Sequence, residues 1–131
     1  MMNGKRYLLD TNIIIDFLQG RADLKDKFTS AAAISIPHIV TGELYYGAKL
    51  SNNPIRNLKR IKNFLKSFEI LSSNDITSSY YAKIKKQLKL QGNPIPENDI
   101  WIAALANQYD LIIATNDQHL NLIDSVTVES W

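Results

Sequence analysis

The sequence contains no cysteine among its 131 residues, so no disulfide can cross-link the fold. Small secreted domains usually depend on such cross-links, and their absence favours a reducing, cytoplasmic environment. The longest uninterrupted apolar run, residues 100–106, has only seven residues, whereas a membrane-spanning helix needs about 20. No apolar stretch of signal-peptide length follows Lys5 and Arg6. We therefore expect neither a membrane span nor an export signal.

The overall composition is that of a folded domain, with 45% apolar and 21% charged residues. A chain of this length buries roughly two-thirds of the surface that it exposes when unfolded, so it needs no structural metal to fold. The sequence has no internal repeat, low-complexity tract or linker. We therefore predict that residues 1–131 form a single domain.

The net charge of +2 conceals an uneven distribution of charge along the chain. Residues 49–89 contain ten Lys and Arg but only two acids, a net charge of +8, and the remaining residues carry −6. Such a pattern is typical of a protein that holds a polyanion with one region while carboxylates elsewhere act on it through a metal. The alternative is that lysine-rich helices simply have solvated faces.

Short apolar runs alternate with amphipathic segments along the whole chain, which predicts an α/β fold. The predicted strands cover residues 5–9, 34–36, 70–71, 111–114 and 126–128. The predicted helices cover residues 13–18, 23–33, 39–50, 54–68, 75–91, 97–108 and 119–123, with Asn74 or Asp75 as the cap of the fifth. The strand at 111–114 is continuously apolar, as in a buried parallel sheet.

Four acids are expected near one edge of this sheet. Asp10 and Asp117 follow predicted strands, at the carboxyl ends where α/β proteins bind ligands. Glu43 interrupts an apolar helix face, and Asp99 lies in the first turn of the most apolar helix, where the helix dipole favours negative charge. Asp10 or Asp117 alone could be a helix cap. Four acids without neighbouring Lys or Arg in the sequence predict a divalent cation.

The ordered motifs around these acids resemble the PIN domain family. They are residues 9–12, Glu43-Leu44 with Gly47, Asp99 followed by residues 102–104, and residues 115–117, and the resemblance spans residues 8–131. Within the family, the short chain is similar to the VapC toxins of bacterial type II toxin-antitoxin systems. The resemblance implies a parallel five-stranded sheet of order 3-2-1-4-5 flanked by helices, a homodimer, and a small antitoxin partner that blocks the site.

The resemblance also implies an activity, Mg²⁺- or Mn²⁺-dependent endoribonuclease cleavage of RNA phosphodiester bonds by a metal-activated water. All four acid positions of the family motif are filled, by Asp10, Glu43, Asp99 and Asp117, which are the predicted catalytic residues. Mg²⁺ prefers oxygen ligands and takes few of them directly from protein. We therefore predict that Asp10, Asp99 and Asp117 bind the metal directly and that Glu43 acts through water.

Neighbouring polar residues are predicted to assist the acids. Thr11, Asn12, Thr115 and Asn116 would orient the carboxylates or contact phosphate, although Asn12 and Asn116 are equally compatible with turn and cap roles. The predicted RNA-binding residues are Arg56, Lys59, Arg60, Lys83, Lys85, Lys86 and Lys89. His38 and His119 lack a second histidine at metal spacing and are predicted to be surface or capping residues. Asp16 is interpreted as an exposed helix carboxylate.

Two alternatives to a nuclease remain open from the sequence. The first is a non-catalytic RNA-binding module with the same fold, which the complete set of four acids disfavours. The second is a receiver-like or phosphatase-like α/β domain. An aspartyl-phosphate phosphatase would have a second Asp at position 12, where this chain has Asn, and a receiver would have a Lys after a late strand.

Overall fold

The computed structural model describes residues 3–131, which form one parallel sheet covered by helices. The strands are β1 (Arg6–Leu9), β2 (Ala33–Pro37), β3 (Glu69–Leu71), β4 (Ile112–Thr115) and β5 (Val128–Ser130). Their order in the sheet is β3-β2-β1-β4-β5, and every neighbouring pair is parallel. The structure thus confirms the α/β class and the predicted order 3-2-1-4-5.

Six α-helices connect and cover these strands within residues 3–131. They are α1 (Thr11–Leu18), α2 (Asp23–Ser30), α3 (His38–Leu50), α4 (Pro54–Leu65), α5 (Asp75–Gln91) and α6 (Glu97–Tyr109). A 3₁₀ helix, Gln118–Leu122, follows β4. The ends of α5 follow from its sequence, because Asn74 and Thr77 form a reciprocal capping box and Gly92 adopts the left-handed conformation at φ 69°.

Some predicted boundaries are wrong. The last strand lies two residues later than predicted, at Val128–Ser130 rather than residues 126–128. Its position is set by pairing with β4, where Ile113 aligns with Val128 and Thr115 with Ser130. The second helix ends at Ser30, which leaves residues from Ala33 onward for β2. Helix α4 likewise ends at Leu65, and its C-cap is Lys66.

Helix α6 is the most buried helix and brings one acid to the sheet edge. Its residues Ile102, Ala103 and Ala104 have no exposed surface, and the helix contacts α3, α5 and β4. Small alanine side chains allow such close packing on several sides. The predicted location of this segment between the sheet and another helix is therefore confirmed, and Asp99 is fixed in its first turn. No helix in the described part of the chain is long and apolar enough to cross a membrane.

Candidate active site at the carboxyl edge of the sheet

The structure brings the four predicted acids together. Asp10 follows β1 directly and Asp117 lies two residues beyond β4, which is the neighbour of β1 in the sheet. Glu43 comes from α3, which follows β2 at the same edge, and Asp99 comes from the start of α6. Beyond the effect of burial, the negative charges of Asp10, Asp117 and Glu43 all act to raise the pKa of Asp99. Carboxylates that are close enough to shift one another's pKa in this way share one site.

Asp10 is the most firmly held of the four acids. One of its oxygens, Oδ1, accepts a 2.8 Å hydrogen bond from the Thr11 backbone N–H and caps α1. The other, Oδ2, accepts hydrogen bonds from the Thr115 hydroxyl at 2.8 Å and the Asn12 amide at 3.2 Å. Asp10 is only 5% exposed, and burial raises its pKa although these hydrogen bonds oppose the rise. It is therefore both a helix cap and a member of the acid cluster.

Thr115 links the ends of the two central strands. Its side chain donates to Asp10 and accepts from the backbone N–H of Asp117 at 2.9 Å and from the amide of Asn12 at 3.3 Å. The residue is 1% exposed. Because one buried hydroxyl holds groups from both loops, it fixes Asp10 relative to Asp117. This geometry agrees with the orienting role that the sequence predicts for Thr115 and Asn12.

Asp99 is the acid that has a buried oxygen without a hydrogen-bond partner. The residue is 8% exposed, and its Oδ2 is buried without a hydrogen-bond partner. Burial, followed by repulsion from Asp10 and Asp117, raises the pKa of Asp99 to about 6. A buried carboxylate oxygen that accepts no hydrogen bond is costly unless a cation or a proton compensates it. This oxygen therefore supports a cation-binding role for the site.

Glu43 completes the cluster from the helix α3 side and is half-buried. Burial raises its pKa, and the charge of Asp10 raises it further. The Thr11 hydroxyl and the Asn98 side chain lie beside it and counteract the rise. The Thr11 hydroxyl is buried without a hydrogen-bond partner among the described residues, so its predicted role in assisting an acid stays a prediction. Asn98 could not be identified from the sequence, because an Asn in the first turn of a helix is an ordinary N-terminal residue.

A histidine also joins the acids. His119 Nδ1 lies 3.0 Å from Asp117 Oδ1 and 3.8 Å from Asp99 Oδ2, and the His119 backbone N–H donates to Asp117 Oδ1 at 2.9 Å. Asp117 caps the 3₁₀ helix through this backbone hydrogen bond, and the same short helix carries the imidazole back to the acids. Sequence spacing did not identify His119 as a site residue, because no second histidine lies at metal spacing and its partner Asp99 is 20 residues away in the chain.

Three side chains have the geometry of a metal-binding group. Asp99, Asp117 and His119 each offer one ligand atom, and these atoms all lie within 4.8 Å of one another. Oxygen and imidazole nitrogen donors suit a divalent cation. The residues present therefore fit the divalent ion that the sequence predicts. Asp10 lies outside this group of three, and its direct binding to a metal stays a prediction.

A second polar network continues from Asn116 toward α1. The Asn116 backbone N–H donates to Asn12 Oδ1 at 3.1 Å, and its side-chain amide donates to Asp16 Oδ2 at 3.0 Å. Arg21 also donates to Asp16 Oδ2, at 3.1 Å. The interpretation of Asp16 as an exposed helix carboxylate is wrong, because its side chain is half-buried in this network. Asn116 contacts α1 rather than the acid cluster.

The predicted RNA-binding residues lie on helices next to those that carry site acids. Helix α4 packs on α3, which carries Glu43, and α5 packs on α6, which carries Asp99. Two members of the set already have partners: Lys85 forms an ion pair with Glu97, and Arg60 donates to the Leu18 carbonyl. The other five are exposed and form no ion pair with the described residues, namely Arg56, Lys59, Lys83, Lys86 and Lys89.

Comparison with known proteins agrees with this fold and site. Residues 7–126 match the PIN domain family. The chain is 35% identical to ribonuclease VapC2 of Haemophilus influenzae and 30% identical to the tRNA(fMet)-specific endonuclease VapC of Shigella flexneri. Each alignment spans 129 residues and covers 96% of this chain and 98% of the relative.

The solved structure of VapBC2 from Rickettsia felis, bound to a DNA fragment from its promoter, is similar to this fold throughout. The TM-score is 0.89 at 26% sequence identity, and the superposition covers 96% of this chain and 98% of that one. The range matched by the PIN family model, residues 7–126, spans the positions of all four acids described above. The chain therefore belongs to the PIN domain family, and within that family it is similar to the VapC ribonucleases.

Proposed function

We propose that this protein is a Mg²⁺- or Mn²⁺-dependent endoribonuclease, the toxin of a toxin-antitoxin pair. The observation that carries the proposal is the buried, unpartnered Oδ2 of Asp99 within a cluster of four carboxylates. Repelling acids at a ligand-binding edge are costly to the fold and useful to a nuclease that must hold a cation near phosphate. The similarity to proteins named ribonuclease VapC supports the same activity.

The chain's own residues would have separate tasks in this reaction. Asp99 and Asp117 would hold the cation together with Asp10, whose position Thr115 and the Thr11 backbone fix. A bound divalent cation would activate water as the nucleophile and offset negative charge on the scissile phosphate. Glu43, which is half-buried and has a raised pKa, would accept a hydrogen bond from water and take up a proton.

The similarity to the relatives and the charge of helices α4 and α5 support a proposal for the substrate and the partners. RNA is the substrate class named for the VapC relatives, and a structural neighbour is a VapBC complex. We accordingly propose a small antitoxin protein as the partner that blocks the acid cluster, a homodimer as the assembly, and the cytoplasm as the location. The five exposed cations of α4 and α5 would contact RNA phosphates, because each lacks an ion-pair partner among the described residues.

The experiment is cleavage of purified RNA by the full chain, with Mg²⁺ and separately with excess chelator. Asp10→Asn removes one charge while retaining the shape of the side chain, and it should abolish cleavage. Asp26→Asn makes the same chemical change on the exposed face of α2 and should leave cleavage intact. Thermal melting would verify that both variants are folded.

Two results would contradict the proposal. The first is cleavage by Asp10→Asn at the wild-type rate in preparations free of contaminating nuclease. The second is RNA binding by the wild type without any metal-dependent cleavage, which would favour a non-catalytic RNA-binding module. The four acids disfavour that alternative, because a binding module gains nothing from carboxylates that repel the phosphate backbone.

A further inference from the structure

The proposed reaction leaves one group of the site without a role, the imidazole of His119. Its Nδ1 lies 3.0 Å from Asp117 Oδ1 and 3.8 Å from Asp99 Oδ2, the same oxygen that is buried without a partner. Two neighbouring ligands of an ion with metal–ligand distances of about 2.1 Å are separated by about 3 Å. The His119 and Asp117 atoms therefore have the spacing of adjacent ligands.

The donor set distinguishes this site from an all-carboxylate one. Mg²⁺ strongly prefers oxygen ligands, whereas first-row transition ions also accept imidazole nitrogen. We propose that His119 is a direct metal ligand together with Asp99 and Asp117, and that this site consequently selects a first-row transition ion over Mg²⁺. The proposal rests on the proposed function only in taking the acid cluster to be the metal site. Mn²⁺ is the appropriate probe, because it accepts both carboxylate and imidazole and is paramagnetic.

A different role for the same histidine makes the opposite prediction. A positively charged His119 that merely neutralised Asp99 and Asp117 would compete with any incoming cation. Removing it would then strengthen the binding of Mn²⁺ and Mg²⁺ together. Removing a nitrogen ligand instead weakens Mn²⁺ binding more than Mg²⁺ binding, because only Mn²⁺ benefits from the nitrogen. The two roles therefore predict changes of opposite sign in the Mn²⁺ affinity when His119 is removed.

The test measures metal binding to the full chain by calorimetry, without RNA. The proteins are wild type, His119→Gln, and His38→Gln as the matched control, since His38 is the other histidine and is exposed at the start of α3. We expect His119→Gln to lower the Mn²⁺-to-Mg²⁺ affinity ratio at least 10-fold, the lower end of the loss seen when even a supporting partner of a metal ligand is removed. His38→Gln should leave the ratio unchanged.

A spectroscopic measurement gives an independent answer. Pulsed electron paramagnetic resonance of the Mn²⁺-loaded wild type should show modulation from a directly bound nitrogen. That modulation should be present in His38→Gln and absent in His119→Gln. Oxygen ligands alone in the wild-type spectrum, an unchanged affinity ratio, or tighter binding of both ions by His119→Gln would each overturn the proposal. Failure of wild type to bind Mn²⁺ would overturn it as well.

These readouts separate the inference from the proposed function. A protein that binds Mn²⁺ through nitrogen but cleaves no RNA would refute the nuclease and leave the ligand assignment standing. A protein that cleaves RNA in the presence of metal but binds Mn²⁺ only through oxygen would refute the ligand assignment and leave the nuclease standing.

Discussion

Replacing Asp99 with Asn should stabilise the metal-free protein. Burial and neighbouring acids raise the pKa of Asp99 from 3.8 to about 6, which corresponds to a cost of about 3 kcal/mol for keeping this carboxylate charged in the folded state at neutral pH. Asn removes the charge at nearly constant shape, but its buried amide loses about 1–2 kcal/mol of hydrogen bonding. The net gain is about 1 kcal/mol, or a rise in melting temperature of about 4 °C for a chain of this size.

The stability of the metal-free wild type should fall as the pH rises. The folded-state pKa of Asp99 lies above its unfolded value, so the unfolded state releases this proton first as the pH rises, and the wild type loses stability between about pH 4 and pH 6. Acidification from pH 7 toward pH 4 restores the lost stability. The advantage of Asp99→Asn should therefore be largest at pH 7 and become a deficit of about 1 kcal/mol near pH 4, where the lost hydrogen bonding of the amide outweighs the small remaining charge effect. Asp10 and Glu43 also have raised pKa values, so the comparison of the variant with wild type at each pH measures the loss of the Asp99 charge together with its repulsion of these neighbours.

Bound Mg²⁺ should make the wild type more stable than Asp99→Asn. A ligand that binds only the folded state stabilises it by about 2.7 kcal/mol at one hundred times its dissociation constant. Wild type should gain this stability from Mg²⁺, and Asp99→Asn should gain much less. Asp75→Asn is the matched control, because Asp75 also lies in the first turn of a helix but is exposed and outside the site.

Loss of the Asp75 charge should cost about 0.3–1 kcal/mol through the helix dipole and leave the response to Mg²⁺ unchanged. Melting curves with and without Mg²⁺ at pH 4 and pH 7 provide the measurement. If Asp99→Asn behaves like Asp75→Asn, then Asp99 is an ordinary helix-start acid, and the reasoning about a shared site is refuted.

Three further predictions concern the basic helices and the scaffold. Reversing Lys59 and Lys86 to Glu should reduce the slope of log RNA affinity against log salt by at least about 0.7 per lost phosphate contact, and an unchanged slope would place RNA elsewhere. Arg60→Ala should lower the melting temperature because the guanidinium caps the Leu18 carbonyl at the end of α1, whereas Lys59→Ala should not. Asn74→Ala should cost about 1 kcal/mol in urea unfolding by removing the α5 capping box, with RNA cleavage unaffected.

The features that could be predicted from the sequence are those that a local pattern determines. Continuous apolar strands followed at once by polar residues predicted Asp10 and Asp117 at the ligand-binding edge. The apolar surface around α6 predicted its buried position. The order of the strands was different in kind, because only the family resemblance implied it. Apolar periodicity describes each strand but does not specify its neighbours.

The features that could not be predicted depend on contacts between distant residues. The register of β5 is set by β4, and nothing within residues 126–131 marks which of them pair. Asp16 looked like a solvated helix acid because its partner Asn116 is 100 residues away. His119 lacked a second histidine at metal spacing, yet the 3₁₀ helix after β4 returns it to Asp99, 20 positions earlier.

Hydrogen bonding within the cluster explains why one acid depends most on a cation. A carboxylate has about four acceptor sites, and Asp10 uses three of them for Thr11, Asn12 and Thr115. These hydrogen bonds partly offset the burial that raises the pKa of Asp10, and they leave it one acceptor site for a metal. Asp99 Oδ2 has no protein donor and faces three other acids. Because the protein provides Asp99 with so little compensation, a bound cation must stabilise this residue more than any other in the site.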